Sequence, residues 1–295
     1  MCTIYINMGL LFSYILKNPH NESPIIPPSN EIPDNEYVKN RIFTNINHRK
    51  KGLIVGINYV TNNEKNDNLK GCTNDMRNIK AFLKEKCFFS RGQIKCLENG
   101  EASRKNIENE LNNLVSYSNI YPGAELWFSY SGHGTSKHSF FEKDNKSEVI
   151  CPSDYQENGL IDDIWLQKQF ISRLHPKTKI FVLMDCCNSG SNMNLPYCIK
   201  KDNIEEKREY NYDLTNICSV VKLSGCRDDE TSIDYFDYTD YEYQGALTNS
   251  FLNTNHYNSL SGNIVDFKKN MKEKGFTQRP VLAFSKQGGA DISLL

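Results

Sequence analysis

Short apolar runs alternate with amphipathic stretches along most of this chain. Residues 52–58, GLIVGIN, have the length and composition of a buried strand. Residues 73–87 then place Met76, Ile79, Phe82 and Leu83 at helical spacing, with Thr73 or Asn74 positioned to cap the helix. A second short strand is predicted at 93–97. Ser103 opens a second helix carrying Ile107, Leu111, Leu114 and Val115 on one face. Residues 125–130 read as a third strand, 162–175 as a third helix, and 179–184, KIFVLM, as a fourth strand. Residues 191–216 are polar with little periodicity and read as an exposed connection. A last unit follows, with a strand at 219–224, helices at 245–252 and 263–274, and a strand at 280–284. The stretch 234–244, DYFDYTDYEYQ, is acidic and rich in Tyr. It reads as a solvated loop, or as a loop bordering a groove. Alternation of this kind predicts an α/β fold, with a mainly parallel sheet and helices on both faces.

Ahead of the periodic region, residues 4–16 are apolar but too short to span a bilayer, which takes about 20 residues. They also lack the basic start and small-residue cleavage site of a secretory leader. Residues 18–40 hold several prolines among Asn, Ser and Glu and read as an extended arm. The expected organisation is an arm over 1–48, a first part of one catalytic domain over 49–190, a connection over 191–216, and the remainder of that domain over 217–295.

Composition narrows the function. The 295 residues are 38% hydrophobic and 24% charged with a net charge of -1, so no overall field points to nucleic acid or to a membrane surface. The ten cysteines form no CxxC pair and no zinc-finger spacing with histidine. A chain this long builds a core without disulfide staples, which predicts reduced thiols and an intracellular setting.

Two of the predicted strands end in small residues with a reactive side chain among them. One end reads Tyr130-Ser131-Gly132-His133-Gly134; the other reads Asp185-Cys186-Cys187-Asn188-Ser189-Gly190. In open α/β sheets, ligands bind beyond the carboxyl ends of strands. A free thiol is mostly protonated at neutral pH, and a nearby imidazole can take its proton and later protonate a leaving amine. His133 and Cys187 are the candidate pair. The backbone N–H groups of Gly134 and Cys187 are candidate oxyanion donors. Cys186, one residue away, points to the opposite face of its strand and reads as core packing.

These elements resemble those of the metacaspases, caspase-like cysteine peptidases, over roughly residues 50–290. The resemblance rests on Tyr130–Gly134, on Asp185–Gly190, on Gly71-Cys72-Thr73-Asn74-Asp75, and on Val220–Gly225 with the polar loop after it. The 54 residues separating His133 from Cys187 (187 − 133) also come close to the roughly 50 of caspases. The resemblance implies a caspase-like fold and peptide cleavage after Lys or Arg. It places Asp75 and Asp185 in an acidic pocket that Cys72 and Ser131 also line. It further implies self-cleavage in the connection, for which Lys200, Lys201, Lys207 and Arg208 are candidates, and a monomer of type I arrangement. Many metacaspases bind calcium through clustered Asp residues. Asp162 and Asp163 match two of these and Glu148 is a possible third, but Asn194 stands where an Asp is expected, which leaves calcium open. No organic cofactor is implied. Two other readings stand beside this one: a catalytically silent interaction protein on the same fold, and a related peptidase cutting after Asn or Asp.

Overall fold

The computed structural model describes residues 49–60, 68–138, 146–187, 193–199, 205–207, 217–225, 234–237, 241–254, 260–276 and 278–286. All of them belong to one unit, Asn47–Leu295. The expected arm over 1–48 lies outside the described residues. Two strand–helix–strand crossovers come first: β1 (Lys50–Gly56), α1 (Cys72–Glu85), β2 (Ile94–Glu98), α2 (Arg104–Ile120) and β3 (Glu125–Ser131). A small antiparallel sheet of β4 (Gly134–His138), β5 (Lys146–Ile150) and β6 (Ile161–Asp162) follows, with the turn α3 (Tyr155–Asn158) inside it. Next come α4 (Asp163–Trp165), β7 (Lys179–Asp185), β8 (Tyr197–Ile199), β9 (Glu205–Lys207) and β10 (Ser219–Ser224). The hairpin β11 (Asp234–Asp237) and β12 (Glu242–Gly245), helices α5 (Ala246–Leu252) and α6 (Leu260–Glu273), and β13 (Val281–Phe284) complete the order.

The main sheet has eight strands in the order β2-β1-β3-β7-β10-β13-β8-β9. Its first five are parallel, and the last three join by antiparallel pairings. The strand period of two explains how one apolar run serves two cores. Leu53, Val55, Phe128, Tyr130, Val182, Met184 and Val220 face the side covered by α2. Ile54, Trp127, Phe181, Leu183, Val221 and Leu223 face the side covered by α1, α5 and α6. On that second face the Phe251 ring sits 5.4 Å from Phe82, 6.0 Å from Trp127 and 5.7 Å from Phe181, centroid to centroid. Such aromatic pairs add about 0.5–1.5 kcal/mol each beyond area burial, which fastens α5 to the sheet.

Three expectations are corrected. The connection 191–216 is not uniformly exposed, because Met193, Asn194, Leu195, Cys198 and Ile199 are buried and β8 and β9 extend the sheet there. The stretch 234–244 is not simply a solvated loop. β11 and β12 pair, and Asn74 and Asn78 of α1 hydrogen-bond to Tyr243 O and Glu242 Oε1 at 2.9 Å each. The helix expected over 162–175 is broken into α4, a π turn at Leu166–Phe170 and a 3-10 turn at Ile171–Arg173. The cap of α1 also differs. Gly71 precedes the helix without a capping side chain, and Asn58 Oδ1, just beyond β1, accepts the Thr73 N–H at 3.2 Å. Among the described residues no helix is long and apolar enough to cross a membrane.

Candidate active site

The ladder between the two central strands sets the site. β3 and β7 run parallel with Ser131 opposite Asp185, so His133 and Cys187 each lie two residues past the same rung. The Gly132 N–H donates to Asp185 O at 3.3 Å and carries the pairing one step further. Gly134 then comes against the other loop so closely that a Cβ there would stand 2.3 Å from Cys187 O. Only glycine permits that approach.

The two neighbouring thiols have different surroundings. Cys186 is fully buried, while Cys187 is partly exposed. This follows from the alternation of the strand, since Met184 and Cys186 share the α2 face. A third thiol, Cys151, also lies near Cys187, but burial pushes it up to about 12, with the Cys187 thiol acting in the same direction. Cys151 therefore stays protonated near neutral pH.

His133 is held on several sides. Its N–H donates to the Tyr59 hydroxyl at 3.0 Å, and its carbonyl accepts from the Tyr130 hydroxyl at 2.8 Å and from the Cys151 N–H at 3.1 Å. The Tyr59 and His133 rings lie 4.5 Å apart at 33°.

Asp75 and Asp185 converge from different elements. Asp75 sits in the first turn of α1 and Asp185 at the end of β7; both are buried. They meet at Gly245, where a Cβ would lie 2.2 Å from Asp185 Oδ2 and 2.7 Å from Asp75 Oδ2. The Gly245 N–H donates to Asp75 Oδ1 at 2.9 Å. Asp185 Oδ2 accepts the Thr248 N–H and hydroxyl, each at 2.9 Å. Asp185 thus caps α5, whose own N-cap position, Gly245, has no side chain. Cys72 is buried at the start of α1, and Ser131 is buried at the end of β3 beside Asp185. Between them, Gly245 and Thr248 thus bond to both carboxylates, although nothing local in the chain signals them.

The three residues considered for calcium divide. In the β5–β6 pairing Val149 faces Asp162, which sets Glu148 beside Asp163, and both are buried. Asp163 Oδ1 accepts from Ser147 Oγ at 2.5 Å and from the Ile164 N–H at 2.7 Å. Its Oδ2 receives no N–H or hydroxyl donor among the described residues. Asp162 is otherwise engaged, with Oδ1 capping α4 through the Trp165 N–H at 2.7 Å and Oδ2 paired with Lys137 Nζ at 2.8 Å. Calcium takes about six to eight oxygen ligands. The described residues contain no group of three His, Cys, Asp or Glu side chains placed to hold an ion.

The Asp163 carboxyl is raised above its ordinary range by burial, while hydrogen bonds from Ser147 and with Glu148 and Ile164 pull the other way. A carboxyl whose folded value lies above its unfolded one holds an extra proton in the native state. Its contribution to stability is present at low pH and is lost as pH rises through the folded value. Asp163→Asn is therefore expected to raise Tm at pH 7.5, with the amide donating to Glu148, and the gain should vanish near pH 4. Thermal melts of both proteins across that range check this.

Lys207 ends β9, paired with Tyr197, while Lys200, Lys201 and Arg208 lie outside the described residues.

Comparison with known proteins agrees with this architecture. The pattern of the metacaspase, peptidase C14 domain matches residues 50–196. Metacaspase-2 of Trypanosoma brucei brucei is 30% identical over 259 residues, which cover 80% of this chain and 73% of that protein. Metacaspase-1 of Lodderomyces elongisporus is 28% identical, covering 88% of this chain and 70% of its own. Metacaspase-1 of Plasmodium falciparum is 36% identical over 197 residues, but the match spans 31% of that longer protein. A crystal structure of a Geobacter sulfurreducens protein shares the fold, with a TM-score of 0.57 at 19% identity over 83% of this chain and 97% of that one. The chain therefore belongs to the metacaspase family of C14 cysteine peptidases.

Proposed function

We propose that this chain cleaves peptide bonds after Lys or Arg, with Cys187 as nucleophile and His133 as its proton-transfer partner. His133 takes the thiol proton as Cys187 Sγ attacks the scissile carbonyl carbon, then gives it to the leaving amine. Water hydrolyses the resulting thioester by the reverse proton path. The N–H groups of Gly134 and Cys187 are the donors to the oxyanion. The observation that carries the specificity is the convergence of the Asp75 and Asp185 carboxylates at Gly245, with Asp185 on the rung two residues before the reacting pair. At an effective dielectric of 20, opposite unit charges 4 Å apart attract by about 4 kcal/mol before desolvation, enough to select a basic side chain over a neutral one. Substrates are accordingly proteins or peptides with exposed basic residues.

Profiling with a peptide library that varies the residue before the scissile bond tests this reading. Cleavage confined to Lys and Arg is expected, and a preference for Asp or Asn would overturn the acidic-pocket argument. Self-cleavage in the 191–216 connection belongs to the same proposal. It predicts two fragments on prolonged incubation of the wild type and none for Cys187→Ala.

No catalytic step is routed through calcium. Activity in EGTA is expected to lie within about twofold of that in millimolar calcium, since Asp162 is committed to Lys137 and α4. A stimulation of tenfold or more would show that calcium displaces Lys137 and uses the site.

A further inference from the structure

We propose that Tyr59 is a positioning residue for His133, doing with an aromatic ring and one hydroxyl what a carboxylate does for the histidine of a Ser-His-Asp triad. The inference rests on the reading of His133 and Cys187 as the reacting pair. A histidine that exchanges protons with a thiol needs a fixed ring, and an orienting group normally bonds its second nitrogen. Here the main chain and the ring face contribute to that fixation. The Tyr59 hydroxyl accepts the His133 N–H at 3.0 Å and donates to Cys151 O at 2.5 Å. The Tyr130 hydroxyl lies 2.9 Å from that of Tyr59 and donates to His133 O at 2.8 Å. Two phenols thus clasp both ends of one residue. The Tyr59 ring then packs on the imidazole at 4.5 Å between centroids.

Other features of Tyr59 fit this task. Its φ is +53°, a left-handed backbone that bulky residues rarely adopt. The surrounding contacts hold it there, which is the pattern of strain kept at a functional site. Burial raises its hydroxyl well above the ordinary tyrosine value, so it stays a neutral phenol that both donates and accepts. It lies three residues past the end of β1, the strand next to β3, at the same end of the sheet as His133.

The test uses the full chain with Tyr59→Phe, Tyr59→Leu and His133→Ala, in three measurements. These are kcat and KM on a Lys/Arg reporter peptide, the rate of Cys187 alkylation by iodoacetamide at neutral pH, and thermal melting. Tyr59→Leu is expected to lower kcat about 100-fold, with KM within about twofold, because small misplacements of a catalytic group cost about that much. Tyr59→Phe, which keeps the ring, should lose only about tenfold. Both should slow alkylation in the same order, toward the His133→Ala rate. A folded Tyr59→Leu with wild-type kcat and alkylation, alongside slowed alkylation in His133→Ala, overturns the role of Tyr59 and leaves the reacting pair standing. Wild-type alkylation in His133→Ala overturns both. If Tyr59→Leu fails to fold, Tyr59→Phe decides, and wild-type kcat in that variant overturns the proposal.

Discussion

Cys187→Ala is expected to lower hydrolysis of a Lys- or Arg-reporter peptide by about 10⁴-fold or more, whereas Cys186→Ala should keep activity within about threefold. The two thiols are adjacent in sequence, so composition and local charge do not separate them. What separates them is the pleat: Cys186 packs in the core shared with Met184 and Tyr130, and Cys187 stands partly exposed past the rung that joins Ser131 to Asp185. Removing a covalent nucleophile leaves only binding and oxyanion stabilisation, hence the large loss. Removing Cys186 leaves a small cavity, which costs about 1 kcal/mol of stability and no chemistry. His133→Ala should lie between them, down about 10²- to 10⁴-fold. Steady-state kinetics together with thermal melting of the three variants separate the outcomes. Full activity in Cys187→Ala would remove the basis of the mechanism.

Gly245→Ala should also impair cleavage after Lys or Arg, although it deletes no functional group. The Gly245 backbone, at φ -71° and ψ 139°, is one that alanine adopts freely, so no backbone strain enters. The added methyl carbon, however, would stand 2.2 Å from Asp185 Oδ2 and 2.7 Å from Asp75 Oδ2 and must drive the carboxylates apart. Displacing both charges from a basic side chain should cut kcat/KM on Lys and Arg substrates by about 100-fold, a loss of about 2.7 kcal/mol in transition-state binding. Asp185→Asn makes a useful contrast. It keeps an acceptor for Thr248 but removes one charge, so its fold should hold while kcat/KM falls. Asp185→Ala should in addition cost about 1 kcal/mol of stability, because α5 loses its cap. A Gly245→Ala protein that cleaves Arg substrates at the wild-type rate would show that the basic side chain binds elsewhere.

The sequence disclosed the central strands well, because β1, β7 and β10 are buried on both faces and read as continuous apolar runs. It also disclosed Ser103 as a cap: Ser103 Oγ accepts the Asn106 N–H at 3.3 Å. It did not disclose β4, β5 and β6, whose residues carry little apolar alternation and are ordered by pairing with one another. The caps of α1 and α5 were equally hidden. Asn58 and Asp185 supply them from 15 and 63 residues away, and no local pattern encodes such a partner. The glycine-flanked histidine and the cysteine after an apolar strand stood out as candidates in the sequence because ligands bind beyond strand ends. Tyr59, Gly245 and Thr248 did not stand out, since each meets the candidate residues only through contacts distant in sequence. Nor was it legible that Asp162, one of the residues considered for calcium, pairs with Lys137 and caps α4.

One consequence of the β7–β10 ladder concerns a severed backbone. Six rungs, from Ser219 opposite Lys179 to Ser224 opposite Met184, tie the two halves together independently of the segment between them. His133, Cys187, Asp75 and Asp185 all precede that segment, while Gly245 and Thr248, which brace the two carboxylates, follow it. Scission between the halves would thus yield two polypeptides that co-migrate on a sizing column and share one working cleft, parting only when denatured.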